Sequence, residues 1–360
     1  MKNSTDKSLI AYDYVESCAF YLFAIIVTLV CQALAGVVSA GLAGSYPDIA
    51  ENGDFNTGFM IFIQLANAAF IYFYTRLRRR KFDFTFFVDG ESGARITPAC
   101  FIIPILAGVA LMCAMYLPTV WYGFLMRAIG LPADYGEIEL TTPSAVAMLV
   151  IVSVLLAPIM EETVYRGVLF HGLKRKYTLV GAAALSALAF MLMHMNPMQV
   201  VFQFALGSVC AFIAARSKRI FTAMLTHATT NALALVVQLT PLGGVLDGCG
   251  VWLTENVAAA VFITLGLFVG GGAAVFALVT FGFGVRDGVE LLKRVGTKKR
   301  TERCETDEKV DGGNNAETAD EKVKNIVAKA KSGDGTVKYW IAAGLSIIMW
   351  IVNLVSGLLL

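Results

Sequence analysis

The feature that most constrains this chain is a series of long apolar blocks. Nine blocks follow one another: 15–44, 57–75, 96–117, 144–170, 178–195, 198–215, 220–239, 256–284 and 339–360. A helix needs about 20 mostly apolar residues to cross the hydrocarbon core of a bilayer. Because 57% of the residues are hydrophobic and only 16% are charged, the chain also lacks the polar surface of a water-soluble globule. The sequence therefore predicts an all-α, polytopic transmembrane helical bundle of about nine spans.

The distribution of basic residues predicts the orientation of the bundle. Lys and Arg cluster after the second, fourth and sixth blocks, whereas the alternate loops are acidic or neutral. Cytoplasmic loops carry an excess of Lys and Arg, so we expect a cytoplasmic N-terminus and a C-terminus on the opposite side. The formal net charge of +2, with no concentrated basic face, argues against a nucleic-acid partner. We expect an integral protein of a bacterial cell membrane, with the lipid bilayer as its surroundings.

The apolar blocks divide the chain into five predicted segments. These are N-terminal transmembrane helices, about three in number (1–143), a helical core (144–239), a further transmembrane helix (240–284), a polar linker (285–338) and a C-terminal transmembrane helix (339–360). The linker interleaves charges and has too little apolar content to bury a core, which predicts a disordered or loosely helical cytoplasmic tether. The seven cysteines show no paired spacing, so a disulfide framework is not expected.

A small set of polar residues lies inside the apolar blocks, where a charge costs a few kcal/mol. The set comprises Glu161, Glu162 and Arg166 in the fourth block, His194 at the end of the fifth, and His227 and Asn231 in the seventh. Glu162 and Arg166 are four residues apart, so they share a helix face and can neutralise each other. Glu161 points about 100° away from that face. Each feature alone also has a structural explanation, but their joint occurrence favours a functional site.

These residues form three motifs in order: E-E-x-x-x-R (Glu161, Glu162, Arg166), F-x-x-x-H (Phe190, His194) and H-x-x-x-N (His227, Asn231). The pattern resembles the CPBP family of intramembrane proteases, also called the Abi or CAAX-protease family. The resemblance covers about residues 144–239. The first three spans, the polar linker and the last helix lie outside it.

The resemblance implies a role for each motif residue. It assigns Glu161 and His194 to activation of the hydrolytic water, and His227 and Asn231 to stabilisation of the oxyanion. Glu162, Arg166 and Phe190 would lie behind these residues and orient them. The chemistry is consistent, because peptide hydrolysis needs a base that deprotonates water and donors placed where negative charge develops.

A metal-dependent mechanism is the alternative for the same residues. Glu161, His194 and His227 would then form a zinc site with an open fourth position. The chain has no H-E-x-x-H motif, and Asn231 is an uncommon zinc ligand, so a mechanism without a cofactor is favoured over one with zinc. Either mechanism requires convergence. If each helix crossed the membrane straight, His194 would lie near the outer face and His227 about 10 Å from the inner one, too far apart to share a water molecule. The fifth helix must therefore be tilted or start deeper, or the helix at Pro158 must be re-entrant.

The sequence thus predicts an intramembrane endopeptidase whose partner is a membrane-embedded or lipid-anchored peptide or protein substrate. A non-proteolytic membrane scaffold or immunity protein that regulates a membrane partner is the second hypothesis. A transporter is the third, suggested by Pro158 and by the glycine run 270–272. A transporter would be supported by matching helix interruptions in two repeat halves, and the sequence shows no such symmetry. Loss of motif residues would favour the scaffold, and no motif residue is lost.

Overall fold

The computed structural model describes residues 12–43, 46, 53–77, 96–130, 142–284, 288–289 and 333–352. Its regular elements in these ranges are helices, and the ranges contain no strand. The predicted all-α class is confirmed.

The described ranges contain ten helices that position the candidate site. They are α1 (Tyr14–Ala43), α2 (Gly53–Leu77), α3 (Ala99–Ala128), α4 (Pro143–Lys174), α5 (Leu179–Met193), α6 (Val200–Ser217), α7 (Ile220–Leu239), α8 (Leu242–Glu255), α9 (Val257–Phe281) and α10 (Gly333–Val352). Eight of them, all except α5 and α8, are long and apolar enough to cross a membrane. The predicted fifth span, α5, is apolar but has only 15 residues, or about 22 Å of helix.

The fourth predicted span is one long helix rather than a re-entrant pair. α4 runs for 32 residues and contains two π-helical stretches, Ile151–Leu156 and Thr163–Phe170, on either side of Pro158. Its start is fixed by Thr142, whose side chain accepts a hydrogen bond from the Ala145 amide at 3.1 Å. A proline inside a helix removes one backbone donor. The wider π turns let the helix continue past Pro158, so the acidic pair lies within a single continuous helix.

The last helix is packed into the bundle. The Tyr339 hydroxyl donates to the Leu185 carbonyl of α5 at 2.7 Å. At the start of α10, Thr336 lies 2.9 Å from the Tyr14 hydroxyl of α1 and accepts a hydrogen bond from Lys176 at 2.7 Å. The starts of α1 and α10 and the basic turn after α4 therefore lie together at one end of the bundle.

The boundary of the last helix differs from the prediction. Residues 333–338, which precede the predicted start at residue 339, already belong to α10. Most of the predicted linker, 285–287 and 290–332, lies outside the described residues. Its disordered or loosely helical character stays a prediction.

The glycine run in α9 yields a prediction about helix packing. A Cβ added to Gly271 would lie 2.7 Å from the Ala114 Cβ and 3.0 Å from the Ala110 carbonyl of α3, whereas one on Gly270 or Gly272 would meet nothing within 4 Å. Small residues allow membrane helices to approach closely. We expect Gly271→Ala to lower the free energy of unfolding by about 1–3 kcal/mol through overpacking. Gly270→Ala is the matched control and should be neutral or slightly stabilising. Thermal unfolding in detergent measures both, and equal midpoints would contradict the close α3–α9 contact.

Candidate active site

Glu162 is the acceptor at the centre of a buried polar cluster. Its Oε1 accepts hydrogen bonds from Arg166 Nη1 and from His227 Nδ1, each at 3.0 Å. Glu162 and Arg166 are fully buried, and His227 is 2% exposed. The predicted ion pair within α4 is therefore present, and it extends across to α7. Two cationic or polar donors on one carboxylate oxygen hold α4 and α7 in a fixed relative position.

The hydrogen bond to Glu162 sets the orientation of the His227 ring. A carboxylate only accepts, so Nδ1 of His227 carries the proton that is donated. The ring nitrogen that remains for other chemistry is Nε2. In the neutral ring Nε2 is an acceptor, and it becomes a donor only when the imidazole takes up a second proton. His227 can thus serve as an acceptor or as an oxyanion donor, depending on its protonation state.

Phe190 packs between the two candidate histidines. Its ring centroid lies 4.7 Å from that of His194 and 5.5 Å from that of His227, with both rings edge-on. The Arg166 guanidinium carbon lies 4.3 Å from the centroid of the Phe190 ring, which places a cation on the aromatic face. Phe190 is fully buried. It therefore restricts both imidazoles through van der Waals contact, which accounts for an aromatic residue four positions before His194.

Glu161 faces His194 rather than the buried cluster. Its Oε2 lies 3.9 Å from His194 Nε2, and the side chains are 14% and 17% exposed. His194 Nδ1 donates to the Phe190 carbonyl at 2.9 Å, so in the neutral ring Nε2 is the acceptor directed at the carboxylate. A separation of 3.9 Å is too long for a direct hydrogen bond and is compatible with one bridging water. The Glu161 carboxylate and His194 Nε2 are thus two acceptors on either side of a position for one water molecule.

A small cavity adjoins Glu161. It has a volume of about 20 Å³, and its lining includes Thr28 of α1, Asn67 of α2, Met160 and Glu161 of α4 and Met193. A cavity of this size holds about one water molecule if polar partners are available. The sequence interpretation overlooked Thr28 and Asn67. The available signal was a polar residue in the middle of each of the first two apolar blocks.

Asn231 contacts the backbone of α4 beside Pro158. Its Nδ2 donates to the Ser153 carbonyl at 2.7 Å. The Ala157 amide, which would bond Ser153 in an α-helix, donates to the Val152 carbonyl instead. The next amide position along the chain is Pro158, which has no N–H. Asn231 therefore supplies the donor that the helix itself cannot provide to this carbonyl, and one N–H of its amide remains for other contacts.

This arrangement predicts the behaviour of Asn231→Ala. The substitution leaves the Ser153 carbonyl without its donor and should cost about 1–3 kcal/mol in the free energy of unfolding. Pro158→Ala restores a backbone N–H, so the double variant should regain part of that stability. Thermal unfolding of the four proteins in detergent tests the coupling. Additive effects of the two substitutions would show that Asn231 does not compensate for the proline.

The short length of α5 accounts for the convergence that simple crossings did not allow. Because α5 has 15 residues, His194 directly follows its end and lies within reach of Glu161, which is deep in α4. Of the predicted site residues, Glu161 and His194 face each other, while His227 contacts Glu162 rather than Glu161. The structure thus brings the motif residues into one region as two adjoining pairs, bridged by Phe190.

The residues considered for zinc do not form a ready ligand set. Among the residues that the structure describes, no three His, Cys, Asp or Glu side chains are grouped closely enough to hold a metal ion. Glu162 binds Nδ1 of His227, so Nε2 is the ring atom that a metal would have to use, and an outer carboxylate of this kind is compatible with metal binding.

Comparison with known proteins identifies the same part of the chain. Residues 143–233 match the family described as type II CAAX prenyl endopeptidase Rce1-like, and this range contains every candidate motif residue. We call residues 143–233, which match this family model, the Rce1-like core. The resemblance to the CAAX-protease family that was inferred from the motifs is thereby confirmed. The Rce1-like core spans α4 to most of α7, so α1, α2, α3, α9 and α10 surround it from outside the matched range.

A curated relative points in the same direction. The Bacillus subtilis (strain 168) protein named "Putative membrane peptidase YdiL" is 29% identical over 124 residues, which are 34% of this chain and 51% of the relative. The chain thus spans about half the length of the curated relative that it matches. No solved structure matches the chain. The Rce1-like core and this relative together support a membrane peptidase.

Proposed function

We propose that the protein is an intramembrane endopeptidase that hydrolyses a peptide bond in a membrane-embedded or lipid-anchored peptide or protein. The observation that carries the proposal is the pairing of Glu161 with His194 Nε2 at 3.9 Å beside a small cavity within an apolar bundle. Ionisable side chains inside a membrane protein cost free energy, so their presence indicates a functional site. The match of the surrounding residues to an endopeptidase family supports the choice of reaction.

Glu161 and His194 would activate a water molecule. A water held between two acceptors donates one hydrogen bond to each, which leaves an oxygen lone pair free to attack the scissile carbonyl carbon. One water proton passes to Glu161 as the carbon–oxygen bond forms. The same proton is then delivered to the nitrogen of the leaving amine, and the carbon–nitrogen bond breaks. The products are a carboxylic acid and an amine, and Glu161 returns to its initial state.

His227 and Asn231 would stabilise the tetrahedral intermediate. Preorganised donors at the developing oxyanion contribute several kcal/mol in a site without bulk water. His227 would donate from Nε2 in its imidazolium form, with Glu162 as its counter-ion, and Asn231 would use the amide hydrogen not bound to Ser153. Arg166 and Phe190 would hold this arrangement in place through the contacts that they make with Glu162 and the histidines.

Peptide cleavage by the full-length protein in liposomes tests the proposal. The probes are two series of internally quenched peptides, one of transmembrane length and one short and lipid-modified. Cleavage of either series supports a peptidase and identifies the substrate class. Absence of cleavage in both series, with a folded protein, favours the scaffold or immunity function. Retention of activity after treatment with 1,10-phenanthroline supports the metal-free mechanism, and a loss that added Zn²⁺ restores supports the zinc alternative.

A further inference from the structure

The Glu161 cavity has a polar wall that comes from outside the Rce1-like core. Thr28 of α1 and Asn67 of α2 line the cavity together with Glu161. Each lies fourteen residues after the first residue of its helix, Tyr14 or Gly53, which is about 21 Å along the axis. Both are therefore near the middle of a membrane-spanning helix. At that depth a polar side chain needs a partner in the protein, in the cavity or in a bound ligand.

The Asn67 amide is not fully used by the protein. Thr28 Oγ1 donates to Asn67 Oδ1 at 3.5 Å, a long hydrogen bond that orients the amide. Within the described residues, the Asn67 Nδ2 group forms no hydrogen bond, and it is not fully buried. Its two N–H groups are therefore available to a molecule that enters the Glu161 cavity.

Other donors in the site are partly engaged. The Nδ1–H of His227 is donated to Glu162, and Asn231 Nδ2 is donated to Ser153. His227 has a second N–H only in its doubly protonated form. Asn67 is in contrast a neutral donor that needs no proton uptake. An acyl-transfer site benefits from each preorganised donor close to the carbonyl that is attacked.

A second polar group lies on the same face of α2. Gln64 is three residues before Asn67, so the two side chains point to the same side of the helix. Gln64 Oε1 is buried and has no hydrogen-bond partner among the described residues. A buried unpartnered amide oxygen costs free energy unless a ligand satisfies it. This face of α2 therefore offers an amide acceptor one turn from an amide donor, the two groups that a peptide backbone pairs with.

We propose that Asn67 is a further catalytic residue, whose Nδ2 donates a hydrogen bond to the carbonyl oxygen of the peptide bond that is cleaved at the Glu161 cavity. Thr28 is a positioning residue that holds the Asn67 amide plane. The inference rests on the proposed peptidase function. It extends the catalytic site to helices α1 and α2, which the motif residues do not reach.

The test compares variants of the full-length protein in liposomes on the quenched peptide that the wild type cleaves fastest. Asn67→Ala removes the donor, and Asn67→Asp keeps the shape but has no N–H. Leu65→Ala is the matched control, because Leu65 is 58% exposed on another face of α2. We expect both Asn67 variants to lower kcat by about 10²–10³-fold with little change in KM. Asn67→Gln, which retains an amide donor, should recover part of the rate, and Leu65→Ala should retain it.

Each alternative result has a distinct meaning. If Glu161→Gln abolishes cleavage while Asn67→Ala and Asn67→Asp match Leu65→Ala, the role of Asn67 is wrong and the peptidase proposal stands. If none of these substitutions changes the rate, both proposals are wrong. If both Asn67 variants lose activity only in proportion to a lowered thermal midpoint in detergent, Asn67 is a packing residue and the inference is overturned.

Discussion

Glu161→Gln is expected to abolish peptide cleavage while leaving the folded protein intact. The substitution keeps the shape of the side chain and removes the carboxylate that would take the proton from water. Loss of a general base costs about 10²–10⁴-fold in rate, and loss of the group that also positions the water places the effect at the upper end. Glu161 Oε2 has no hydrogen-bond partner among the described residues, so its removal breaks no structural bond. The thermal midpoint in detergent should therefore change little.

The control for this variant is Ser208→Ala. Ser208 lies on α6, is partly exposed, and bonds only the carbonyl one turn before it among the described residues. Its loss should leave both rate and stability unchanged. Cleavage rates of the two variants in liposomes provide the comparison. Full activity of Glu161→Gln would mean that another group deprotonates the water, and the proposed mechanism would have to be abandoned.

Glu162→Ala, unlike Glu161→Gln, is expected to cause a large loss of stability. Glu162 is the shared acceptor of Arg166 and His227, and both it and Arg166 are fully buried. Removing it leaves a guanidinium in the apolar interior without its counter-ion. Breaking a buried ion pair in this way costs about 3–5 kcal/mol. The Nε and Nη2 atoms of Arg166 already have no hydrogen-bond partner among the described residues, so no second acceptor is in place.

A double variant separates the charge effect from the loss of packing. Arg166→Met in the Glu162→Ala background removes the uncompensated cation and keeps an unbranched side chain against Phe190. The thermal midpoint should rise relative to Glu162→Ala alone, because apolar replacement of a buried pair is often neutral or stabilising. Activity should stay lost, since His227 has no carboxylate to orient it. A Glu162→Ala protein as stable as Glu161→Gln would contradict the buried pair.

The sequence was sufficient for those features that depend on one helix at a time. The spacing of Glu162 and Arg166 predicts their pairing, and the structure has it. The apolar blocks predict the helical class, and eight helices of spanning length are found in the described ranges. The separate orientation of Glu161 also follows from helix geometry alone. Within a helix, residue spacing determines direction, so these inferences need no knowledge of neighbouring helices.

Features that depend on contacts between helices could not be predicted. Nothing in the spacing indicates that His227 pairs with Glu162 rather than with Glu161. The apolar character of 178–195 suggests a full span, whereas the helix has 15 residues and ends where His194 can reach α4. Asn231 was assigned by resemblance to the oxyanion, and its contact with Ser153 appears only when the π turn beside Pro158 is known. Roles of these residues in catalysis stay predictions.

The hydrogen bond from Tyr339 to the α5 carbonyl, together with the contacts of Thr336, bears on how such a protein can be dissected or recombined. A fragment limited to the family-matched range would expose faces that α1 and α10 cover in the intact chain. Exchange of that range between relatives would therefore succeed only if both flanking helices were transferred with it. Two helices that are far apart in the chain, α1 and α10, thus both contribute to the packing of the Rce1-like core.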